Sequence, residues 1–186
     1  MARSSGARDA ARRVVLRLLL LIPLAAFLSH AQAQTVVDEY TLKAGWLYQL
    51  CLYTDWPKEA FSSDTSPFVI GILGKDPFGE RLQGITQKRI NRRPIELRPC
   101  TLEQAAECHL VYVSSSEKDN LPNILGRLKN THTLTVGEPE NFTRLGGVIR
   151  LAVIRGSVKP EISKSAVERA KLVMRSQLKE CGKLVD

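Results

Sequence analysis

One stretch of the chain, Phe68 to Leu73, is apolar from end to end, without the alternation of polar and apolar residues typical of a strand with one wet face. Such a run predicts a strand that is buried on both faces. The pattern returns at His109 to Val113 and, more weakly, at three other places: Pro94 to Leu97, Thr133 to Val136, and Val148 to Ile154. A sheet covered on both faces is therefore the main constraint on the fold.

The segments between these predicted strands have the composition of helices. They run from Asp76 to Thr86, from Glu117 to Lys129 and, for a shorter one, from about Glu138 to Arg144. Strands that alternate with helices imply crossover connections, and hence a mainly parallel sheet. A further helix is predicted over Asp38 to Thr54, before Trp56-Pro57, because proline disfavours the helical conformation of the residue before it.

The C-terminal part follows a different pattern. Gly156-Ser157 separates two strand-like runs, which predicts a hairpin and an antiparallel edge. Ser163 then caps a predicted final helix. One face of that helix would carry the following residues: Ala166, Ala170, Val173, Gln177, Cys181 and Leu184. The sequence thus predicts a single three-layer α/β domain: a mainly parallel sheet of five to six strands, helices on both faces, and a C-terminal hairpin plus helix.

The first 33 residues have the composition of a secretory signal peptide. Five arginines precede an apolar run from Leu18 to Leu28, and Ala31-Gln32-Ala33 is a small-x-small cleavage site. Eleven apolar residues are too few to cross about 30 Å of hydrocarbon as a helix, so we expect cleavage after Ala33 and no membrane anchor. The domain would then be residues 34–186, exported by either the general or the twin-arginine route.

Removal of the signal peptide leaves 22 of the 27 basic residues and 18 of the 19 acidic ones, a net charge of +4. No basic stripe interleaved with aromatic residues is present in the sequence, and we expect no nucleic acid partner.

Export would place the four cysteines in an oxidising compartment, where paired cysteines form disulfides. Cys100 and Cys108 bracket a short segment that could form one or two helical turns between adjacent strands, and they are the favoured pair. Cys51 and Cys181 could form a second bond, which would join the first and last helices. A lone cysteine on an apolar helix face is, however, usually a small core residue.

The turn after Leu73 resembles a phosphate-binding loop because glycines follow a buried strand. Asp76 at a helix N-cap and Pro77 after it would already satisfy the helix end that an anion needs, so we expect an ordinary capped turn. Ser114 to Ser116 lack a nearby base, because His109 begins the preceding strand. Cys100, Cys108 and His109 lack the fourth ligand of a zinc site. We therefore expect no catalytic, metal-binding or cofactor-binding residues.

The first predicted helix carries more apolar residues than a surface helix needs. Its aromatic and aliphatic side chains cover far more than a stripe of about 100°. The helix could be sandwiched inside the domain, or it could present a dimer or partner surface, where Trp and Tyr serve as anchors. The residues expected at such a surface are Trp46, Leu47, Tyr53 and Trp56.

Several blocks of the chain together resemble the YfiR family of exported bacterial proteins. They are YTLKAGWLYQLCLYTDWP, FVIGILGKDPFG, INRRPIELRPC, CHLVYVSSSE, LTVGEPENF, GGVIRL and PEISKSAVERAKLVMRSQLKE, in this order from Tyr40 to Val185. The resemblance implies a periplasmic, dimeric α/β protein without enzymatic activity. It also implies a role as a repressor that engages the periplasmic region of an inner-membrane diguanylate cyclase, so that cyclic di-GMP and biofilm formation stay low.

Two other classes of function stay open at this point. The chain could bind a small ligand at the carboxyl ends of the strands and report a periplasmic signal. An α/β hydrolase-type enzyme is a further alternative, although the motifs above give it little support.

Overall fold

The computed structural model describes residues 38–186; the expected signal peptide lies outside them. Ten strands are present in this part of the chain: β1 Thr54–Asp55, β2 Phe68–Leu73, β3 Arg89–Ile90, β4 Arg93–Cys100, β5 Leu110–Val113, β6 Leu134–Gly137, β7 Ile149–Ile154, β8 Ser157–Ser163, β9 Val173–Met174 and β10 Lys183–Val185. The α-helices are α1 Glu39–Leu52, α2 Gln83–Thr86, α3 Leu102–Ala105, α4 Leu121–Leu128, α5 Lys164–Arg169 and α6 Ser176–Cys181.

Eight of the strands form one sheet in the order β10-β8-β7-β6-β5-β2-β4-β3. The five strands β7-β6-β5-β2-β4 form a parallel block in the middle of this sheet. On one side of the block β8 pairs antiparallel with β7, and on the other side β3 pairs antiparallel with β4. The predicted α/β class and mainly parallel sheet are confirmed. The sheet has two or three more strands than expected, because the short β3 and β10 extend its edges.

Side chains of β2 alternate between the two faces of the sheet. Phe68, Ile70 and Ile72 point into the larger core, which α1 covers, whereas Val69 and Leu73 point into the smaller core under α3 and α4. All six residues of β2 are buried. The apolar run from Phe68 to Leu73 is therefore a central strand that is buried on both faces, as the sequence predicted.

Helix α1 begins where the sequence predicts. The carboxylate of Asp38 accepts a hydrogen bond from the backbone N–H of Thr41 at 3.2 Å and caps the helix. The helix ends at Leu52, two residues before the predicted end.

The helix predicted near Glu138 to Arg144 is wrong. This segment is a series of turns, with hydrogen bonds such as Phe142 N–H to Pro139 O at 2.9 Å. Phe142 is fully buried against Gly137 and Gly147, in the space that a side chain at either glycine would take. Burial of this ring fixes the turns where local sequence suggested a helix.

The single final helix is also wrong. Lys171 adopts a φ of +55°, which ends the helical path after α5. Val173 and Met174 then form β9, which pairs antiparallel with β1, and α6 and β10 follow. Because the helical period is interrupted, Val173 and Cys181 are exposed and do not share a buried face.

Two other predicted helices are shorter than expected. In the helix predicted from Asp76 to Thr86, a 3₁₀ turn, Gly79–Leu82, precedes α2. In the helix predicted from Glu117 to Lys129, another 3₁₀ turn, Ser115–Asn120, precedes α4. Pro160 lies on β8 opposite Leu151 of β7, and the pairing of β8 with β10 begins one residue later, at Glu161. Within residues 38–186 none of the helices combines the length and the apolar character that a membrane crossing requires.

Candidate functional site

Helix α1 is buried along one side and partly covered along both flanks. Leu47 is fully buried in the larger core, so the structure corrects its assignment to a partner surface: a side chain with no exposed area offers none. On one flank, residues at spacings of four, three and four lie on the same side of the helix. We call these four residues the α1 stripe: Leu42, Trp46, Gln49 and Tyr53.

The stripe combines half-buried apolar side chains with one exposed amide. Leu42, Trp46 and Tyr53 pack against the larger core with part of each side chain, and Gln49 is exposed. The indole Nε1–H of Trp46 donates to the backbone carbonyl of Val158 at 3.1 Å. This bond fixes the orientation of the ring on β8, so its exposed part is held in place before any partner arrives.

Trp56 lies after the helix, and the structure uses it inside the domain. Its Nε1–H donates to the carbonyl of His109 at 3.1 Å, and its ring meets Phe68 edge-on at 4.8 Å between centroids. The ring is half-buried. Trp56 therefore borders the larger core, and only part of its side chain is open to a partner.

The backbone after Tyr53 is held by the C-terminal part of the domain. The guanidinium of Arg175 donates two hydrogen bonds, of 2.7 and 3.2 Å, to the Asp55 carboxylate. The backbone N–H of Arg175 donates to the carbonyl of Tyr53 at 2.9 Å. Thr54 pairs with Met174 in the two-stranded sheet of β1 and β9. Tyr53 consequently extends from a fixed backbone.

A buried lysine anchors α1 to the carboxyl ends of the strands. Lys43 is 1% exposed, and its ammonium group pairs with Glu138 at 2.9 Å and with Glu39. Tyr112 donates its hydroxyl hydrogen to Glu138, and the ammonium group lies 4.6 Å from the ring centre of Tyr40. Burial alone would lower the pKa of Lys43, but the hydrogen bonds to the two carboxylates outweigh it and the pKa is raised.

Sequence reasoning missed the role of Lys43, although one signal was present. A lysine between Leu42 and Ala44, on the buried side of an apolar helix, needs a buried carboxylate partner. The sequence could not identify Glu138, since it follows β6 and lies 95 positions away.

The two cysteines favoured as a pair lie on either side of Gly71. A Cβ at Gly71 would lie 2.8 Å from both the Sγ of Cys100 and the Sγ of Cys108. Cys100 ends β4, and Cys108 lies two residues before β5. We had expected these two strands to be adjacent, but β2 runs between them. The helical turn between them is present as α3, closed by a capping box of Thr101 and Gln104.

The electrostatic surroundings of the two thiols differ. The hydrogen bond from Cys100 and the guanidinium of Arg98 outweigh burial and lower the pKa of Cys108 to about 7. The same hydrogen bond, together with burial, raises the pKa of Cys100. All four cysteines are free thiols in the structure, so the predicted pairing of Cys100 with Cys108 stays a prediction.

The possible second pair also stays a prediction. Cys51 is fully buried on α1, and burial raises its pKa. Cys181 is exposed at the end of α6. The structure places these two thiols in different surroundings, with Cys51 in the core position that a lone apolar cysteine commonly takes.

The glycine turn after β2 has no free anion cradle. The hydroxyl of Ser116 accepts the backbone N–H of Lys75 at 2.9 Å, and Asp76 accepts that of Phe78 at 2.8 Å. The sequence predicted Asp76 as the cap of an α-helix, but it caps a turn that precedes the 3₁₀ helix Gly79–Leu82. The hydroxyl of Ser114 accepts the backbone N–H of Ser116 and caps the following 3₁₀ helix. Across residues 38–186 no three metal-ligating side chains of the types His, Cys, Asp and Glu cluster together.

A cavity of about 310 Å³ lies between α5, β9, α6 and β10. The small-ligand alternative had placed a pocket elsewhere, at the carboxyl ends of the strands. Lys43, Tyr112 and Glu138 fill those ends with a hydrogen-bonded network. Most of the cavity wall is apolar, and its charged residues are two lysines and one glutamate. The lining residues are Ile162, Lys164, Val167, Glu168, Leu172, Val173, Met174, Lys179 and Leu184.

Comparison with solved structures shows the fold alone. The crystal structure of a conserved domain protein from Vibrio cholerae has a TM-score of 0.55 at 9% identity, over 80% of this chain and 60% of that chain. The ABC domain from Streptococcus pneumoniae in complex with L-Trp has a TM-score of 0.46 at 10% identity, over 68% and 57%. The chain therefore spans about 60% of the length of these proteins. The first of them is similar in its α/β architecture; the second is too distant to support an argument.

The sequence comparison is more specific than the structural one. No curated protein matches the chain. Residues 40–183 match the YfiR/HmsC-like family, from the first turn of α1 to the start of β10, which confirms the resemblance seen in the sequence blocks. The chain belongs to the YfiR/HmsC-like family.

Proposed function

We propose that this protein is exported to the periplasm and there represses an inner-membrane diguanylate cyclase by binding its periplasmic region. Membership of the YfiR/HmsC-like family over nearly the whole described chain carries this proposal. The expected signal peptide of residues 1–33 and the domain that follows it are part of the proposal. The protein would act by binding and not by catalysis, and its effect would be a lower level of cyclic di-GMP.

The α1 stripe is the surface that we propose for the cyclase. Trp46 and Tyr53 are large, half-buried and held by the backbone contacts described above, which lowers the entropy lost on binding. Aromatic side chains of this kind carry much of the binding energy in protein interfaces. Trp56 would lie at the border of the contact, since its half-buried ring packs against Phe68 inside the domain.

The direct experiment is co-purification of the mature chain with the periplasmic domain of a cyclase encoded beside it. The proposal predicts a stable complex and a rise of cyclic di-GMP when the gene is deleted. Absence of both the complex and the rise would refute it. Light scattering of the purified chain tests the homodimer that the family resemblance implies: twice the mass of the mature chain supports it, and a monomer at micromolar concentration contradicts it.

We also propose a disulfide between Cys100 and Cys108 in the exported protein. Gly71 has no side chain, and this lets both thiols occupy the space above β2. A bond at this place would tie β4 to the start of β5 across the central strand.

The cavity beside α5 favours a second candidate function, binding of a small ligand as a signal. Its volume of about 310 Å³ is within the range of small-molecule sites, and the lining is mainly apolar with a few charged groups. A thermal-shift screen of small periplasmic acids tests it, because a ligand at 100 times its dissociation constant adds about 2.7 kcal/mol to the free energy of unfolding. Val167→Phe, which narrows the cavity, should remove that gain; a gain that survives this substitution would contradict a site here.

A further inference from the structure

His109 joins three parts of the domain at the amino ends of the central strands. Its Nδ1 accepts the backbone N–H of Val69 at 3.0 Å, and its own N–H donates to the carbonyl of Val69 at 3.0 Å. Its carbonyl accepts both the indole N–H of Trp56 at 3.1 Å and the backbone N–H of Leu134 at 2.8 Å. One residue thus connects β2, β6 and the segment that leads from α1 to β2.

The imidazole lies in an aromatic stack. Its ring is 4.4 Å from the ring of Phe61 and 4.8 Å from that of Phe68, nearly parallel to both. The side chain is 6% exposed, and within residues 38–186 its Nε2 has no hydrogen-bond partner. Because Nδ1 accepts a hydrogen bond, the ring must be the neutral tautomer that carries its hydrogen on Nε2.

One charged group acts on this imidazole within the described chain, the guanidinium of Arg93 on β4. The guanidinium of Arg93 stacks on the Phe61 ring, 3.9 Å from its centre, and donates to the carbonyls of Ser63 and Ser66. The connecting segment and β2 contribute backbone groups of Ala60 and Val69 that favour the protonated ring, but no carboxylate acts on it.

Protonation of His109 would break this arrangement. A hydrogen on Nδ1 would point at the N–H of Val69, so an acceptor would become a competing donor. The imidazolium would also be buried beside the positive charge of Arg93, and its desolvation would not be offset by a carboxylate.

We propose that His109 is an acid-sensitive latch: while neutral it holds the segment from Trp56 to Ser66 against β2 and β5, and protonation releases that segment. The release would loosen Trp56 and, through the backbone of β1, the Tyr53 end of the α1 stripe. This regulation of binding rests on the proposed function, whereas the latch is a property of the domain alone.

The latch has a quantitative consequence. Burial, together with the charge of Arg93, outweighs the backbone hydrogen bonds of Ala60 and Val69 and lowers the pKa of His109 to about 4, whereas an open segment would return it to its ordinary value of about 6.5. Linkage then raises the ratio of open to closed segment about 20-fold between pH 7 and pH 5. This 20-fold change applies only to backbone and side-chain groups that become exposed when the segment around His109 opens.

Hydrogen exchange measured at pH 7 and pH 5, corrected for the intrinsic exchange rate, tests the latch. We expect the protection of the Val69 amide and the Trp56 indole to fall about 20-fold at pH 5 in the native protein. In His109→Asn the amide oxygen can accept the Val69 hydrogen bond but does not titrate in this range, so protection should be independent of pH. His132→Asn, at the second histidine of residues 38–186, is the matched control and should behave as the native protein.

Protection that is independent of pH in the native protein, or an equal fall in His109→Asn, would overturn the proposal. If His109→Asn does not fold, the imidazole resonances of His109 in the native protein decide: a ring that titrates near pH 6.5 contradicts a buried neutral latch. Cyclase binding measured at the same two pH values reports separately on the proposed function. Loss of binding at both values with a working latch would refute the function alone.

Discussion

Lys43 and Glu138 form an ion pair of 2.9 Å that ties the first helix to the carboxyl end of β6. The lysine is 1% exposed, whereas the carboxylates of Glu138 and Glu39 are 17% and 48% exposed. This pair joins the helix that carries the α1 stripe to the end of β6, beside the apolar packing of α1 on the larger core.

Lys43→Met should destabilise the domain. Loss of one partner of a buried ion pair typically costs about 3 to 5 kcal/mol, and water around the two carboxylates reduces this, so we expect about 2 to 3 kcal/mol. Urea denaturation measures the change in the free energy of unfolding. Lys88→Met, at an exposed lysine over the ring of Tyr48, should change it by less than about 0.5 kcal/mol. Equal effects of the two substitutions would contradict the anchoring role.

Gly71→Ala should also destabilise the domain, for a steric reason. The new Cβ would lie 2.8 Å from both cysteine sulfurs in a buried core, and overpacking of this kind costs about 1 to 3 kcal/mol. Cys100→Ala in the same chain should recover part of the loss. Gly45→Ala is the matched control: this glycine is in α1 with nothing within 4 Å of the new Cβ, and alanine should stabilise the helix by about 0.5 to 1 kcal/mol.

Thiol labelling distinguishes the predicted disulfides. Exported protein that is denatured without reductant should show no label at Cys100 or Cys108, as measured by mass spectrometry of its peptides. Label at Cys181 under these conditions would show that the second predicted pair is absent. After reduction, alkylation of Cys108 in the folded protein should rise with a midpoint near pH 7, because the hydrogen bond from Cys100 and the charge of Arg98 favour its thiolate. Label at either Cys100 or Cys108 before reduction would contradict the bond.

The free energy of unfolding should fall on acidification because of His109. Its pKa is about 4 in the folded protein and about 6.5 in the unfolded chain, so the unfolded chain binds more protons between these values. Proton uptake by His109 has almost no effect on the free energy of unfolding above pH 6.5. Between pH 6.5 and pH 4 it lowers this free energy by about 1.4 kcal/mol per pH unit. Denaturation of the native protein and His109→Asn at pH 7 and pH 5 measures it. A pH dependence that is the same in both proteins would argue against His109 as its source.

The sheet could be predicted from the sequence because its signal is local. The buried runs of β2 and β5 and the Gly156 hairpin are each contained in a few consecutive residues, and each strand lies where its pattern indicated. The interruption of the predicted C-terminal helix could not be seen in the sequence. It depends on Lys171 at positive φ and on the pairing of β9 with β1, about 120 positions earlier in the chain.

The candidate site was predictable only in part, for the same physical reason. The aromatic excess on α1 was compatible with a helix enclosed in the domain or with a partner surface. Trp46 and Tyr53 lie half-buried on one flank of the helix, and their role in an interface stays a prediction. Burial of Leu47 and the hydrogen bond from Trp56 to His109 depend on how α1 packs on the sheet. The ion pair of Lys43 with Glu138 depends on contacts between residues far apart in the chain.

Calorimetric binding of the cyclase's periplasmic domain to two tyrosine variants tests the central claim most directly. Tyr53 belongs to the α1 stripe, and Tyr48 is half-buried on the opposite flank of the same helix. We expect Tyr53→Ala to weaken binding by about 2 kcal/mol, roughly 30-fold, while Tyr48→Ala binds like the native protein. Native affinity in Tyr53→Ala, or an equal loss in both variants, would contradict the claim that this surface holds the cyclase.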